Sequence, residues 1–181
     1  MAQMLALLGS INVGGNRITM ADLKQALAEE GLGEVQTVGA SGNVIFESAE
    51  AASPLEQRIS KLLQNQFGIA ACVVIRTRAQ VQSAIAENPF HGDGAEHGLD
   101  KMVHSMFLET QPDQASFDGL QEAHRGKGGE RMALGEGVLY LDYVDGVGRS
   151  ALTGKFLERH LGCRGTARNM SSLTKILAKM D

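Results

Sequence analysis

The sequence predicts an α+β protein made of two ferredoxin-like halves of β-α-β-β-α-β type. Each half is read as an antiparallel sheet with its helices on one face. Three observations lead there. Over the first 76 residues, short apolar runs and segments of helical spacing follow one another as strand, helix, strand, strand, helix, strand. From residue 102 onward a variation on that order returns. The chain has 181 residues, 43% hydrophobic and 21% charged, which suffices for one core or for two small halves.

Met4–Leu8 reads as a strand running into a glycine–asparagine loop. Thr19 is placed to cap a helix, with Asp22 three residues on. Leu23 and Leu27 repeat at helical spacing, and Gly31 ends the helix. Val35–Val38 and Val44–Phe46 read as strands joined through Ala40-Ser41-Gly42. Ser53-Pro54-Leu55-Glu56 is the sharpest local signal: Ser53 caps, Pro54 takes the first helical position and Glu56 closes the box. Ile59, Leu62 and Leu63 form the apolar stripe, Phe67-Gly68 ends it, and Ala71–Ile75 is the next strand.

Thr77 with Gln80 begins another helix, to about Glu87, stopped by Asn88-Pro89-Phe90. His91 to Asp100 is a Gly-, His- and Asp-rich loop. Met102–Leu108 reads as a strand, and Pro112 to about Glu122 as a helix with proline at its start. Lys127-Gly128-Gly129-Glu130-Arg131 reads as a mobile turn of mixed charge. Arg131–Leu134 and Val138–Tyr143 read as a hairpin around Gly135-Glu136-Gly137. Ser150 to His160 reads as a helix. Asn169 or Ser171 then caps a last helix carrying Leu173, Ile176, Leu177 and Met180. The organisation expected is residues 1–76 as the N-terminal half, 77–101 as helix and connector, and 102–181 as the C-terminal half with a terminal helix.

Composition narrows the function classes. A net charge of -4 argues against a broad phosphate-binding surface, and 4% aromatics without tryptophan argues against single-strand stacking platforms. No basic region precedes the apolar run at Met4–Leu8, which is too short for a leader, and no stretch approaches a bilayer span. The expectation is a cytoplasmic protein with no membrane association. Cys72 lies in an apolar run and reads as a reduced core thiol. Cys163 sits in a Gly-Cys-Arg-Gly turn with no partner base apparent.

The polar motifs carry the functional reading. Asn12, Gly14, Gly15 and Asn16 follow the first strand and precede a helix. Such a turn can aim backbone N–H groups at an anion, or can simply be a turn needing positive φ. It is not G-x-G-x-x-G, so no dinucleotide fingerprint is present. Gly148 to Lys155 fails as a P-loop, because five residues separate the glycines and Phe156 stands where Ser/Thr is required. Arg149-Ser150 and Thr166, Arg168, Asn169 are each expected at a helix N-terminus, suited to phosphate or carboxylate or, equally, to capping. His91, Asp93, Glu96, His97 and His104 match no zinc spacing, and no metal or cofactor is expected. Asp142 and Asp145 suit acid–base work, or a solvent-facing strand residue and a turn residue.

These motifs in order resemble the bacterial DUF1697 family of uncharacterised proteins. Ala6-Leu7-Leu8 leads into Ile11-Asn12-Val13-Gly14-Gly15-Asn16 and Met20-Ala21-Asp22-Leu23. Then come Thr37, Ser41-Gly42-Asn43-Val44-Ile45-Phe46, Asn88-Pro89-Phe90, Gly148-Arg149-Ser150 and Thr166-Ala167-Arg168-Asn169. The resemblance implies two ferredoxin-like halves packed together and no known activity, substrate or cofactor. The chain departs from the family pattern at Gly9 (arginine), Ser10 (glycine), Val38, Gly39 and Ala40 (Tyr, a hydrophobe and Gln), Met170 (tryptophan) and Ser171 (asparagine). A family site built on that arginine, tyrosine and glutamine would be altered or lost here.

The leading functional expectation is binding of a small phosphate- or carboxylate-bearing ligand through Asn12, Gly14, Gly15, Asn16, Ser41, Asn43, Arg149, Ser150, Thr166, Arg168 and Asn169, in a monomer or homodimer. Whether it is an enzyme stays open, since no nucleophile–base pair is readable. A rival is an RNA-binding module, disfavoured by the acidic balance, which a basic face of Arg125, Lys127, Arg131 and Arg164 would revive. A third is an interaction protein that dimerises through a sheet.

Overall fold

The computed structural model describes residues 1–180. The elements are β1 (Ala2–Leu8), α1 (Met20–Glu29), β2 (Gly33–Thr37), β3 (Asn43–Ser48), α2 (Ala52–Phe67), β4 (Val73–Thr77) and α3 (Arg78–Ala86). They continue with β5 (Val103–Leu108), α4 (Gln114–His124), β6 (Arg131–Gly135), β7 (Val138–Asp142), α5 (Gly154–Leu161), β8 (Gly165–Asn169) and α6 (Met170–Leu177). Two antiparallel four-stranded sheets form, ordered β2-β3-β1-β4 and β6-β7-β5-β8. The chain divides into two compact units, the first made of Met1–Gln82 together with residues 176–180 and the second of Ser83–Lys175. No helix among the described residues is long and apolar enough to cross a membrane.

In the first unit, Met4, Ala6 and Leu8 of β1 alternate onto the face that carries both helices. They meet Phe46 and Val44 of β3, Val73 and Ile75 of β4, Leu23 and Leu27 of α1, and Leu55, Ile59 and Leu63 of α2. The second unit repeats this. Met106 and Leu108 of β5 and Leu139 and Leu141 of β7 pack beneath Phe117 and Leu120 of α4 and Leu157 and Leu161 of α5. Each core is thus one sheet face closed by two helices.

The bonds repeat too. Leu8 N–H donates to Gly42 O and Leu108 N–H to Gly137 O, while Gly9 N–H donates to Cys72 O and Glu109 N–H to Arg164 O. Thr77, last in β4, exchanges hydrogen bonds with Gln80 at the start of α3, and Asn169, last in β8, accepts from Ser172 N–H at the start of α6. Each unit is therefore a plait with a capped helix following it, a repetition that sequence similarity alone was too weak to prove.

Four local readings need correction. First, α2 starts at Ala52 with Ala51 at its cap and no side-chain capping bond. Ser53 and Pro54 lie inside the first turn, where no backbone N–H needs a helical partner. Glu56 instead accepts from Ile75 N–H (2.8 Å) on the edge strand β4. Second, α5 starts at Gly154, not Ser150. Val147–Arg149 form a 3-10 turn, Ser150 is extended, and Thr153 caps the helix. Third, Pro112 precedes α4, which Asp113 caps through Ser116 N–H. Fourth, β8 is a strand where the sequence offered only a polar connection. It is an edge strand whose Ala167 packs against the helix-side core and whose buried Thr166 and Arg168 lie on the opposite face.

Candidate functional site

The end of β1 lies between the turn that enters β3 and the start of β4, fixed by the Leu8–Gly42 (2.8 Å) and Gly9–Cys72 (2.7 Å) bonds. A β-carbon on Gly42 would stand 2.9 Å from Leu8 O, so this close crossing needs glycine, whose φ there is +82°. The chain then enters the loop Ser10–Asn16. Ser10, Asn12 and Gly14 take φ of 62°, 56° and 61°, whereas Ile11 and Val13 stay negative. Left-handed residues alternating with residues of negative φ are the backbone pattern of an anion-binding nest, and a turn bond from Asn16 N–H to Val13 O (3.2 Å) closes the loop.

Side chains hold this shape from outside. Asn12 Oδ1 accepts from Ile18 N–H and its Nδ2 donates to Ala40 O, both at 3.0 Å. Asn16 Nδ2 donates to Ser10 O (3.0 Å), and Arg17 Nη1 donates to Asn12 O (3.2 Å). Ile11 and Ile18 anchor both ends in the helix-side core. These bonds consume carbonyls, while the N–H groups of Asn12, Val13, Gly14 and Gly15 meet no acceptor among the described residues. Asn43, buried, donates to Val38 O and Ser41 Oγ (3.1 Å each) and braces the neighbouring turn. So Asn12, Gly14, Gly15, Asn16, Ser41 and Asn43 share one end of the first sheet. Arg17, which the sequence reading left out, stands with them as the cation next to the loop.

In the second unit the expected residues separate. Arg168 and Thr166 lie on the sheet face opposite α4 and α5, with Arg168 in register with Ser105. Arg168 Nη1 donates to Thr166 Oγ1 (2.6 Å) and Ala167 O (2.9 Å). Its counterpart Arg76, in register with Leu5, likewise donates to its own strand at Ile75 O (2.9 Å). Asn169 caps α6. Ser150 belongs to the helix side. Its hydroxyl donates to Glu130 Oε1 (2.5 Å) and accepts from Leu152 N–H (3.0 Å). Arg149 is exposed at the end of the 3-10 turn. Neither Arg149-Ser150 nor Thr166-Arg168 stands at an α-helix N-terminus, because one follows a 3-10 turn and the other is strand.

Two buried polar clusters were not legible in the sequence. Glu130 Oε2 lies 3.1 Å from His124 Nε2, with both side chains under a tenth exposed. Burial pushes the Glu130 carboxyl up, but the Ser150 hydroxyl, its own backbone N–H and nearby His124 hold it below its ordinary value. Tyr143 is pushed up to about 12 by burial and by the Glu130 charge. Because the serine donates to the carboxylate and not to the histidine, the set is a brace, not an activated nucleophile. Asp142, expected to face solvent, is 1% exposed; it accepts from Arg131 Nη2 (2.6 Å) and Val144 N–H (3.1 Å). Arg131 also lies over the Phe90 ring at 4.7 Å. The turn read as mobile therefore has two of its three charged residues, Glu130 and Arg131, tied into the unit. Both cysteines are buried and neither is in a disulfide. Among the described residues no group of three or more His, Cys, Asp or Glu is placed to hold a metal.

Comparison with solved structures finds the conserved bacterial protein SP0830 from Streptococcus pneumoniae. It superposes with a TM-score of 0.70 at 20% identity, over 98% of this chain and 97% of that one. At that identity the likeness speaks for the fold, and it supports the two-plait architecture. No curated protein matches the chain. The family model described as "Protein of unknown function (DUF1697)" matches residues 1–140, the span holding the nest loop, the Ser41–Asn43 turn and the Asn88-Pro89-Phe90 turn, and on that match the chain belongs to the DUF1697 family.

Proposed function

We propose that this protein binds a small anionic ligand, bearing phosphate or carboxylate, in the Ser10–Asn16 loop. The observation that carries the reading is the run of four successive N–H groups, Asn12 to Gly15, without an acceptor among the described residues, on a backbone of alternating φ. An oxyanion would supply those acceptors, and Arg17 beside Asn12 O would supply charge. Because the braces are already in place, ordering the loop would cost little on binding. A cytoplasmic location fits a chain whose two buried cysteines form no disulfide.

Thermal-shift measurements with inorganic phosphate, sulfate, acetate and nucleoside monophosphates test this. At about 100 times its Kd, a ligand adds roughly 2.7 kcal/mol of stability, visible as a raised melting temperature. Gly15→Pro removes one N–H at a position of negative φ, and Gly15→Ala, whose β-carbon meets nothing within 4 Å, keeps it. The shift is expected to survive Gly15→Ala and to fall in Gly15→Pro and Arg17→Gln. No shift with any anion, or one indifferent to Gly15→Pro, overturns the reading.

A further inference from the structure

The outer surface of α5 gathers cations beside aromatic rings. Of the four residues whose joint basic face would revive the RNA-binding rival, three are neutralised: Arg125 by Glu122 (2.9 Å), Arg131 by Asp142 (2.6 Å) and Arg164 by Glu109 (2.8 Å). Lys127 is not. It lies with its ammonium 5.0 Å from the Phe156 ring centre, and Phe156 in turn meets the His160 ring at 4.5 Å, tilted by 54°. Leu157 and Leu161 turn inward. At roughly 100° per residue, Lys155, Arg159, Phe156 and His160 then fill one continuous arc of about 140° on the other side, with Glu158 outside it. Lys127, Lys155 and Arg159 are exposed and form no ion pair among the described residues. The corresponding helix of the first unit carries two cations: Arg58 is bound by Glu50 at 2.9 Å with Glu30 at 3.9 Å, and Lys61 alone forms no ion pair among the described residues.

We infer that this surface, formed by α5 and Lys127, binds single-stranded nucleic acid. Three cations without carboxylate partners suit a phosphate backbone, and the exposed edges of the half-buried Phe156 and His160 rings, Phe156 being seated against the core, give a base an aromatic surface to rest on. An acidic peptide would use the cations but has no need of the rings. The overall charge of -4 sets a limit on the interaction: it is local, with few phosphates engaged and a shallow salt dependence. The inference is independent of the proposed anion loop.

Fluorescence anisotropy with a labelled oligouridylate tests it. Three neutralised phosphates predict a slope of log affinity against log salt of about -2, or roughly fifteenfold weaker binding between about 50 and 200 mM salt. The Lys127→Ala, Lys155→Ala, Arg159→Ala triple variant is expected to lose tenfold or more and to flatten the slope. Phe156→Leu, which keeps an apolar side chain against the core, is expected to weaken binding about fivefold while the circular dichroism spectrum is unchanged. Three results each overturn the inference: no binding at the lower salt, affinity unchanged in the triple variant, or unchanged affinity in Phe156→Leu together with equal binding of polyglutamate. The last would assign the surface to acidic peptides.

Discussion

In the first half the chain leaves β1 through Gly9–Thr19, and in the second it leaves β5 through Glu109–Asp113. Both connections begin with the same two backbone bonds, and both send a side-chain amide to the neighbouring hairpin. Asn12 Nδ2 donates to Ala40 O, whereas Gln111 Nε2 donates to Gly135 O and its Oε1 accepts from Gly137 N–H (2.5 Å). From there they part. The second connection goes straight to its cap, Asp113. The first inserts a loop of alternating φ in which Asn16 N–H closes a turn onto Val13 O, while the N–H groups of Asn12 to Gly15 meet no acceptor among the described residues. A plait needs only the short version, so the surplus in the first half is where a function beyond folding is to be sought.

The two halves should respond differently to three substitutions. The largest effect is expected at Gly42→Ala. The new β-carbon meets backbone at 2.9 Å and the residue must keep positive φ, so a loss of about 3 kcal/mol or more is expected in urea unfolding. Gly14→Ala, with positive φ but open space, should cost only about 1 kcal/mol. Equal costs would mean that the loop, not the strand crossing, is the rigid part.

Next comes Arg131→Leu, which leaves the Asp142 carboxylate buried with Val144 N–H as its remaining donor. Because the Arg131 side chain is 40% exposed, solvent moderates the loss to about 2 kcal/mol. In the first half the matching position is Glu47, which makes no ion pair among the described residues, so Glu47→Gln should stay within about 0.5 kcal/mol. A neutral Arg131→Leu would show that Asp142 is satisfied otherwise.

The smallest effect is a pH dependence that only the second half should show. His104 matches Met4 of the first half by register, Asn169 and Thr77 being their partners. Burial holds the His104 imidazole below its ordinary 6.5, against the opposing influence of the Met102 carbonyl and Asp142. The unfolded chain therefore binds the proton first, so stability is present above 6.5 and declines as pH falls below it. Glu130, held below 4.5, adds a loss of the same sign at lower pH. Melting temperature against pH should flatten between about 5 and 6.5 in His104→Met. An unchanged profile would remove His104 as the cause.

The sequence made the architecture legible because its helices and central strands announce themselves locally. Thr19, capping α1 through Asp22 N–H, and Thr77 with Gln80 hold in the structure. The family resemblance is likewise shown by the match over residues 1–140. What stayed hidden depends on partners far along the chain. β8, an edge strand of sequence Gly-Thr-Ala-Arg-Asn, becomes a strand only because β5 pairs with it. Ser53-Pro54 fits a helix that starts at either of two neighbouring positions, and Glu56 was drawn off by Ile75 N–H. Asp142 looked solvent-facing because nothing nearby in sequence signals the arginine across the hairpin. At the candidate site, the motif of glycines and asparagines was visible, but the division of labour was not. The asparagine side chains brace carbonyls, leaving the backbone N–H groups as the donors available to a ligand.

The most direct measurement is a two-dimensional amide NMR titration with inorganic phosphate and, separately, acetate, following the Asn12–Gly15 signals alongside Glu109, Thr110, Gln111 and Asp113. The account predicts saturable downfield shifts of the Asn12–Gly15 amide protons, as expected when an oxyanion accepts from them, with the second connection unmoved. Shifts absent from Asn12–Gly15, or spread equally over both connections, would contradict it and leave the loop an ornament of the fold.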